Sequence, residues 1–430
     1  MRKSIINTKE NRSRVFDALI QACLIFLLIF TPLALGTVQA WSIFVMRVAV
    51  IVGLVSWFLR MIGQGQITVR RTPIDIPVLV FLGVATVSAL RSPYRRLSME
   101  WLANLATYVA IYFLVTNNLR NNRNIKRLVT AMFFAATIAG VYGLLRYFNI
   151  LDILPHSQDP RISSTYYNPN HYAGFLILVT PLSLSFFLFS KTYLRSLAFA
   201  VLSAVLVANL ALSFSMTNLA FLISMLLLII VVLRFRELRT ATRRLLTALP
   251  LFLLLYFFIL SLTRPIFPRY DITATTRFGQ VKETLVGAVS ERIGEWRDEL
   301  PVFLDRPYLG WGLGTFSEMF PRYRPLDPHW AFFRSYAHSD YLQIASDMGI
   351  VGLGSYLILV GVIVGGSIRL LRQTQNPYRV LSLGVTVALF AAIIRSFWDN
   401  NLFVIQSLSI YFFTLVGILQ AMRKMGDSES

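Results

Sequence analysis

A histidine at the entrance of an apolar segment is the residue of this chain best placed to do chemistry. His338 opens the stretch HSDYLQIASDMGIVGLGSYL, in which a His-Ser pair is followed after nine residues by Gly349 and, three residues on, by Gly352. Glycines at this spacing let another helix pack closely at the start of a span, which puts the imidazole on the water side of a packed junction. A neutral imidazole there can accept a proton near pH 7, so His338 is a candidate general base.

Three further side chains could bind an anion or a sugar. Arg395 lies inside an apolar run, where a charge usually faces the bundle interior, either for function or for structural pairing. Asp399, in the FWDN turn that follows, could orient a histidine or bind a sugar hydroxyl, or be an exposed turn aspartate. Trp296 could stack on a sugar, although packing onto the membrane is the commoner role, and Trp101 is predicted to be an interfacial belt residue.

The composition places these residues in a membrane. Hydrophobic residues make up 56% and charged residues 14% of the chain, and the mean hydropathy is +0.61. A soluble domain carries about 25% charged residues, so lipid must cover most of this chain. The net charge of +20 does not indicate nucleic-acid binding, because the basic residues lie in short clusters between apolar runs. The one cysteine, Cys23, cannot form an intrachain disulfide, and no Cys/His set has zinc spacing.

Apolar runs of spanning length predict an all-α, polytopic membrane protein with about twelve transmembrane helices. Twelve spans would put both termini on the same side of the membrane. The runs cover residues 16–36, 41–60, 74–90, 100–116, 128–147, 172–190, 195–213, 216–233, 245–263, 342–366, 380–397 and 402–422.

Basic residues orient these spans. Loops rich in Lys and Arg alternate with loops that nearly lack them, which predicts that the basic loops and both termini are cytoplasmic. Residues 1–263 then hold spans one to nine, residues 264–341 form one large periplasmic loop, and residues 342–430 hold spans ten to twelve. In the loop, residues 282–304 have apolar side chains at helical spacing, which predicts an amphipathic helix on the membrane surface.

Arginines also occur on the outward side, against this charge bias. They lie in the loops 91–98, 148–171 and 264–341. As a set they suggest an anionic ligand at the outer face, while for any one of them the alternative is a salt-bridged loop arginine.

Three segments together resemble a known family. The sequence HSDYLQIASDMGIVGLG, the pair Arg292 and Trp296 followed by RPYLGWGLGTF (306–316), and YNPNHYAGFL (167–176) are similar to the O-antigen ligase and O-antigen polymerase superfamily, the WaaL/Wzy-type membrane glycosyltransferases. The resemblance covers roughly residues 160–420 and is most specific at 292–355.

The resemblance implies a GT-C type fold in the bacterial inner membrane with an active site facing the periplasm. It implies transfer of a glycan from undecaprenyl diphosphate, with inversion and without a metal or cofactor. The acceptor would be a lipid A-core sugar for a ligase, or a second lipid-linked glycan for a polymerase. His338 would be the base and Arg292 would hold the diphosphate through paired hydrogen bonds.

One departure from the family pattern concerns the diphosphate. The family often has a Ser-Arg-Gly step where this chain reads SFSMTNLAF (213–221), without an arginine. A diphosphate contact is therefore missing or supplied elsewhere, and Arg161, Arg264 and Arg269 are the candidates.

Two other classes of protein compete with a glycosyltransferase. A transporter of small anions predicts paired broken helices and ionisable residues at mid-membrane, and few charges lie deep in these spans. A membrane scaffold without catalysis would leave the histidine motif and the outward arginines without a role. The sequence therefore favours the transferase, as a ligase or as a polymerase.

Overall fold

The structure is a computed structural model that describes residues 2–154, 159, 161–234, 290, 292–294, 296–323, 336–372, 378–400 and 403–427. All regular secondary structure in these ranges is helical. A bilayer supplies no hydrogen-bond partners to a backbone, so apolar segments of this length satisfy their own amide groups as helices.

The helices follow one another with short connections. They are α1 Arg2–Leu33, α2 Ala40–Gln64, α3 Asp75–Arg91, α4 Arg95–Asn118, α5 Asn122–Tyr147, α6 Pro169–Phe189, α7 Tyr193–Leu212, α8 Thr217–Arg234, α9 at 296–305, α10 Asp340–Arg372, α11 Arg379–Arg395 and α12 Gln406–Asp427. A one-turn helix, Phe316–Met319, and a 3-10 turn, Phe320–Arg322, lie between α9 and α10.

Seven helices in the described ranges are long and apolar enough to cross a membrane. They are Ser13–Leu33, Ala40–Gln64, Arg95–Asn118, Asn122–Tyr147, Pro169–Phe189, Tyr193–Leu212 and Asp340–Arg372. The all-α, multi-pass membrane architecture is therefore confirmed. Helices coincide with eleven of the twelve predicted runs, and the run 245–263 lies outside the described residues. The number twelve and the GT-C type stay predictions.

Helix α6 is the centre of the bundle, since 83% of its membrane-spanning window is buried. It packs against α7 on one side and α11 on the other, while α1 packs on α2 and α5, and α4 packs on α12. Gly384 lets α11 approach α6, because a Cβ atom there would lie 2.5 Å from Ser185 Oγ and 2.9 Å from Leu182 Cα. This close approach brings the last turn of α11, with its arginine, to the first turn of α6.

Helix α10 bends sharply at Gly349, where φ is 67° and ψ is −167°. The segment 307–314 docks in the bend: Ile350 N–H donates to Pro307 O (2.7 Å) and Gly312 N–H donates to Asp347 O (2.9 Å). A Cβ atom on Gly349 would lie 2.2 Å from the carbonyl of Tyr308. The prediction that these glycines admit another helix is therefore wrong for Gly349, which admits the backbone of a loop.

The turns that the sequence assigns to the outer face contact one another. The contacts are Gly36 with the ring of Tyr166, Arg322 Nη2 donating to Tyr94 Oη (2.7 Å), Ile162 N–H donating to Leu212 O (3.3 Å) and Asp340 N–H donating to Ser396 O (2.9 Å). The predicted cytoplasmic turns contact one another in the same way, through the ion pair of Arg60 with Asp17 and the bond from Arg70 N–H to Asn117 Oδ1 (2.6 Å). These contacts join pairs of turns that the sequence predicts to lie on the same side of the membrane.

Candidate functional site

Arg395 joins three segments of the chain. Its Nε donates to Thr217 Oγ1 (2.6 Å) at the start of α8. Its Nη2 donates to the Asn170 carbonyl (2.8 Å) in the first turn of α6 and to Asp399 Oδ2 (2.6 Å) after α11. The residue is 3% exposed, so this guanidinium is a buried cation with a paired carboxylate. The sequence proposed structural pairing and a site as alternatives for Arg395, and its contacts fit both.

Thr217 lies in the segment 213–221, where the family pattern has an arginine and this chain has none. The hydrogen bond from Arg395 therefore brings a guanidinium to that segment from another helix. Room for the group comes from Gly174 of α6, where a Cβ atom would lie 2.9 Å from both Cζ and Nη1 of Arg395. The hydrogen bonds of Arg395 to described residues run through Nε and Nη2.

Asp399 is the carboxylate paired with Arg395, and Asp340 also acts electrostatically on that guanidinium. Burial raises the pKa of the Asp399 carboxyl, but the charges of Arg395, His171, His338 and Arg292 outweigh burial and hold the pKa below the ordinary value of 3.8. Its Oδ1 also accepts a hydrogen bond from Asn400 N–H (2.9 Å). Asp399 is therefore ionised across the pH range in which an imidazole titrates.

His338 stands directly before α10, at the mouth of the span where the sequence expected it. Its backbone has the left-handed φ of 47°, which is uncommon for a residue other than glycine. Contacts on both sides fix this turn: Ala337 N–H donates to Gln343 Oε1 (3.1 Å), and Asn400 Nδ2 donates to Ser339 O (3.3 Å). The turn of His338 is thereby tied to the turn of Asp399, and the two side chains interact electrostatically.

A second imidazole belongs to the cluster. His171 lies in the first turn of α6, which begins after Asn168, whose side chain accepts from Asn170 N–H (2.8 Å). His171 interacts electrostatically with Asp399, Arg395 and His338. The sequence analysis assigned this residue no role, although its segment YNPNHYAGFL carries part of the family resemblance.

The predicted diphosphate arginines fall into two groups. Arg292 interacts electrostatically with Asp399 and so belongs to the cluster. Arg161 is paired with Asp159, at 2.7 Å from Nη2 to Oδ2, and its Nη1 lies 3.5 Å from Oδ1 of Asn170. Since the carbonyl of Asn170 is bonded to Arg395, Arg161 stands at the border of the site. Arg264 and Arg269 lie outside the described residues.

The structure places three tryptophans in different surroundings. Trp296 is half-buried at the start of α9, and among the described residues no contact joins it to the cluster of Arg395 and Asp399. Trp101 of α4 was assigned to the interfacial belt, but it lines a cavity at the outer end of the bundle. Trp311 packs inside the loop, with Nε1 donating to Val302 O (2.9 Å).

The cavity has a volume of about 260 Å³ and adjoins the cluster through His171. Its described lining consists of Leu35, Val38, Trp101, Asn104, Tyr166, Tyr167, His171, Tyr336, Phe403, Val404, Ile405 and Gln406. The described ranges hold no group of three or more His, Cys, Asp or Glu side chains placed to bind a metal ion. Metal independence itself stays a prediction.

The cluster brings together two imidazoles, a carboxylate and the guanidinium groups of Arg395 and Arg292, and His171 joins it to the cavity. No curated protein sequence matches this chain. Residues 201–357, which include Arg292 and His338, match the family model described as O-antigen ligase. This match supports the resemblance of the sequence to the O-antigen ligase and O-antigen polymerase superfamily.

Proposed function

We propose that the chain is an O-antigen ligase-type glycosyltransferase, which moves a glycan from undecaprenyl diphosphate to a lipid A-core acceptor at the periplasmic face of the inner membrane. One observation carries this proposal. The buried pair of Arg395 and Asp399 gathers α6, α8 and α11 beside His338 and Arg292, in a chain with an O-antigen ligase domain.

His338 acts as the base in this reaction. It takes the proton of the acceptor hydroxyl while that oxygen forms a bond to the anomeric carbon of the donor sugar. The bond between this carbon and the diphosphate oxygen breaks, and undecaprenyl diphosphate leaves with the electron pair. Attack opposite to the leaving group inverts the anomeric centre. Asp399 stabilises the imidazolium that forms, because a carboxylate favours a neighbouring positive charge.

Guanidinium groups hold the leaving diphosphate. Arg395 is fixed by three hydrogen bonds, so little conformational entropy is lost when it binds an oxygen anion. Arg292 adds a second cation, and Arg161 stands at the border of the site to add a third. Charge-assisted hydrogen bonds from arginine supply the neutralisation that a divalent cation supplies elsewhere, so the transfer is metal-independent.

The substitution His338→Ala tests the proposal. Purified protein in nanodiscs would be assayed with an undecaprenyl-diphosphate glycan and a lipid A-core acceptor, in excess EDTA. We expect turnover to fall by about 10²–10⁴, the usual worth of general-base catalysis, while donor binding is retained. His329→Ala, a histidine of the same predicted loop outside the motif, is the control and should transfer at the normal rate.

Wild-type turnover in His338→Ala with both substrates saturating would refute the assignment of the base, and loss of wild-type transfer in EDTA would refute metal independence. The product separates the alternatives. A glycan on lipid A-core indicates a ligase, and a glycan lengthened on undecaprenyl diphosphate indicates a polymerase that uses the same donor site. The more remote alternative, a small-anion transporter, predicts anion uptake into vesicles without any glycan transfer.

A further inference from the structure

The cavity next to His171 has no arginine, lysine or carboxylate in its described lining. A diphosphate placed there would lose its hydration without gaining a counter-charge, which is strongly unfavourable. A polyprenyl tail would instead leave the amides of Asn104 and Gln406 facing hydrocarbon. The chemistry of the lining thus fits a neutral ligand with both apolar faces and hydroxyl groups.

Aromatic rings supply flat surfaces in this cavity. The rings of Trp101 and Tyr336 lie with centroids 6.2 Å apart, and Tyr166, Tyr167 and Phe403 also line the cavity with aromatic rings. The Trp101 ring is supported from behind, because a Cβ atom on Gly314 would lie 2.3 Å from Trp101 Cγ. The C–H face of a pyranose carries partial positive charge and stacks well on the electron-rich face of such rings.

Two amides supply complementary hydrogen-bonding groups. Gln406 is 5% exposed, and its Oε1 accepts no hydrogen bond from any described residue. Asn104 Oδ1 accepts from Arg47 Nη2 (2.8 Å), which leaves the amide N–H groups of Asn104 for a ligand. A buried acceptor without a partner is unfavourable, so a ligand hydroxyl that donates to Gln406 removes a desolvation penalty. One acceptor and one donor in the same cavity match what sugar hydroxyls offer.

We propose that this cavity is a saccharide subsite that takes one neutral pyranose ring of a substrate. Trp101 and Tyr336 stack on the ring, while Gln406 accepts from and Asn104 donates to its hydroxyl groups. The volume of about 260 Å³ lies just below the usual range of about 300–1,000 Å³ for small-molecule sites, so it suits one ring rather than a long glycan. His171 lines the cavity and interacts with Asp399, so the ring lies next to the reacting centre.

This inference rests on the proposed function and names the part of the substrate that the cavity recognises. Two sources share the chemistry: the first sugar of the undecaprenyl-diphosphate donor and the terminal sugar of the acceptor. Kinetics with two substrates separate them, because each substrate can be varied while the other is saturating.

The test uses Gln406→Leu with Gln420→Leu as its matched control. Gln420 lies on the same helix α12 and is 1% exposed, but it stands fourteen residues further along, about 21 Å away at 1.5 Å per residue. We expect Gln406→Leu to raise KM about 3- to 10-fold for one substrate, the worth of a neutral hydrogen bond, and Gln420→Leu to leave both KM values unchanged. A rise for the acceptor alone assigns the subsite to the acceptor, and a rise for the donor alone assigns it to the donor. Unchanged KM values for both substrates, or a fall confined to kcat, would overturn the subsite.

A labelling experiment tests binding without turnover. Val38→Cys, in a Cys23→Ser background, places a thiol in the cavity wall, and its reaction with a small maleimide reports occupancy. Either the undecaprenyl-diphosphate glycan or the lipid A-core acceptor should slow labelling, whereas undecaprenyl diphosphate without a sugar should not. Equal protection by the sugar-free lipid would show that the cavity holds a tail or a diphosphate instead. Because labelling requires no transfer, saccharide protection in a protein that fails to transfer glycan would refute the proposed function and leave the subsite standing.

Discussion

Burying the ion pair of Arg395 and Asp399 inside the helix bundle is energetically unfavourable. The side chains are only 4% and 12% exposed, and removing such charges from water costs several kcal/mol for each ion. Apolar residues of similar volume would often be neutral or stabilising in their place. Besides each other, the two side chains make hydrogen bonds with Thr217, the Asn170 carbonyl and Asn400 N–H. Polar groups from three segments therefore surround the pair. A role beyond stability explains why these charges stand beside two histidines.

The first residue-scale prediction concerns the pH dependence of transfer in Asp399→Asn. Activity should fall on the acid side of the profile, as the imidazole of the proposed base, His338, protonates. Asp399 stays ionised there, because Arg395 and the other nearby cations hold its pKa below 3.8. Removing this carboxylate disfavours the imidazolium, so the acid midpoint should move to lower pH and maximal turnover should fall. The measurement is a pH–rate profile normalised to its own maximum, which does not depend on the folded fraction.

Glu318→Gln is the control for that profile, since it removes the same charge from an exposed position of the outer face. Its midpoint should equal that of the wild type. An unchanged midpoint in Asp399→Asn would show that the carboxylate does not act on the catalytic imidazole. The lowered pKa of Asp399 also affects folding. A carboxyl whose pKa is lower in the folded than in the unfolded protein stabilises the fold above about pH 3.9, and this stabilisation is lost as the pH falls through the folded-state pKa.

At this scale the sequence marked three residues as candidates: His338 by its motif, Arg395 by a charge inside an apolar run, and Asp399 by its place in the FWDN turn. It could not name His171, Asn104 or Gln406. A histidine after a turn-like NPN and amides near span ends have no distinguishing local pattern. Their roles arise only when α4, α6 and α12 meet around one cavity.

At the scale of elements, the junction of the loop with α10 determines where His338 stands. Asp347 Oδ2 accepts from Gly314 N–H (2.8 Å) and from Gln343 Nε2 (3.0 Å). Gln343 in turn accepts from Ala337 N–H, next to His338. The bend at Gly349 therefore connects the docked segment 307–314 to the turn of His338. The sequence marked the glycines as important but missed their partner, because a loop about forty residues upstream cannot be identified from spacing alone.

The element-scale prediction is that Gly349→Ala destabilises this junction. The φ of 67° and ψ of −167° at this residue belong to a region that is essentially restricted to glycine, and a Cβ atom would clash with the Tyr308 carbonyl. We expect a loss of about 1–3 kcal/mol or more from backbone strain alone. Thermal unfolding of the purified protein should show a lower Tm, and transfer should fall because the turn of His338 loses its support.

Gly354→Ala is the matched control, since this glycine lies in the same helix and a Cβ atom on it would meet nothing within 4 Å. Alanine is favoured over glycine inside a helix by about 0.5–1 kcal/mol, so this variant should be as stable as the wild type or more so. Equal Tm values for Gly349→Ala and Gly354→Ala would show that the bend is not under steric constraint.

At the scale of the whole molecule, apolar runs and basic loops predicted most of the architecture. Span positions follow from lipid exclusion of polar backbone, and they could be read from composition alone. The packing arrangement of the helices could not be predicted in this way, because no local sequence pattern specifies which apolar helix faces pack on one another. Contacts at the predicted outer turns and at the predicted cytoplasmic turns form two separate sets, as alternating orientation requires. The side of the membrane on which each set lies stays a prediction from charge.

Site-specific labelling tests that orientation. In a Cys23→Ser background, Glu318→Cys places an exposed thiol on the predicted periplasmic loop, and Gln66→Cys places one on the predicted cytoplasmic loop between α2 and α3. A membrane-impermeant maleimide applied to spheroplasts should label position 318 directly and position 66 only after the inner membrane is permeabilised. The physical reason is that loops rich in arginine are retained on the cytoplasmic side. The reverse pattern would put the cluster of His338 and Arg395 in the cytoplasm, where a periplasmic transfer to lipid A-core could not take place.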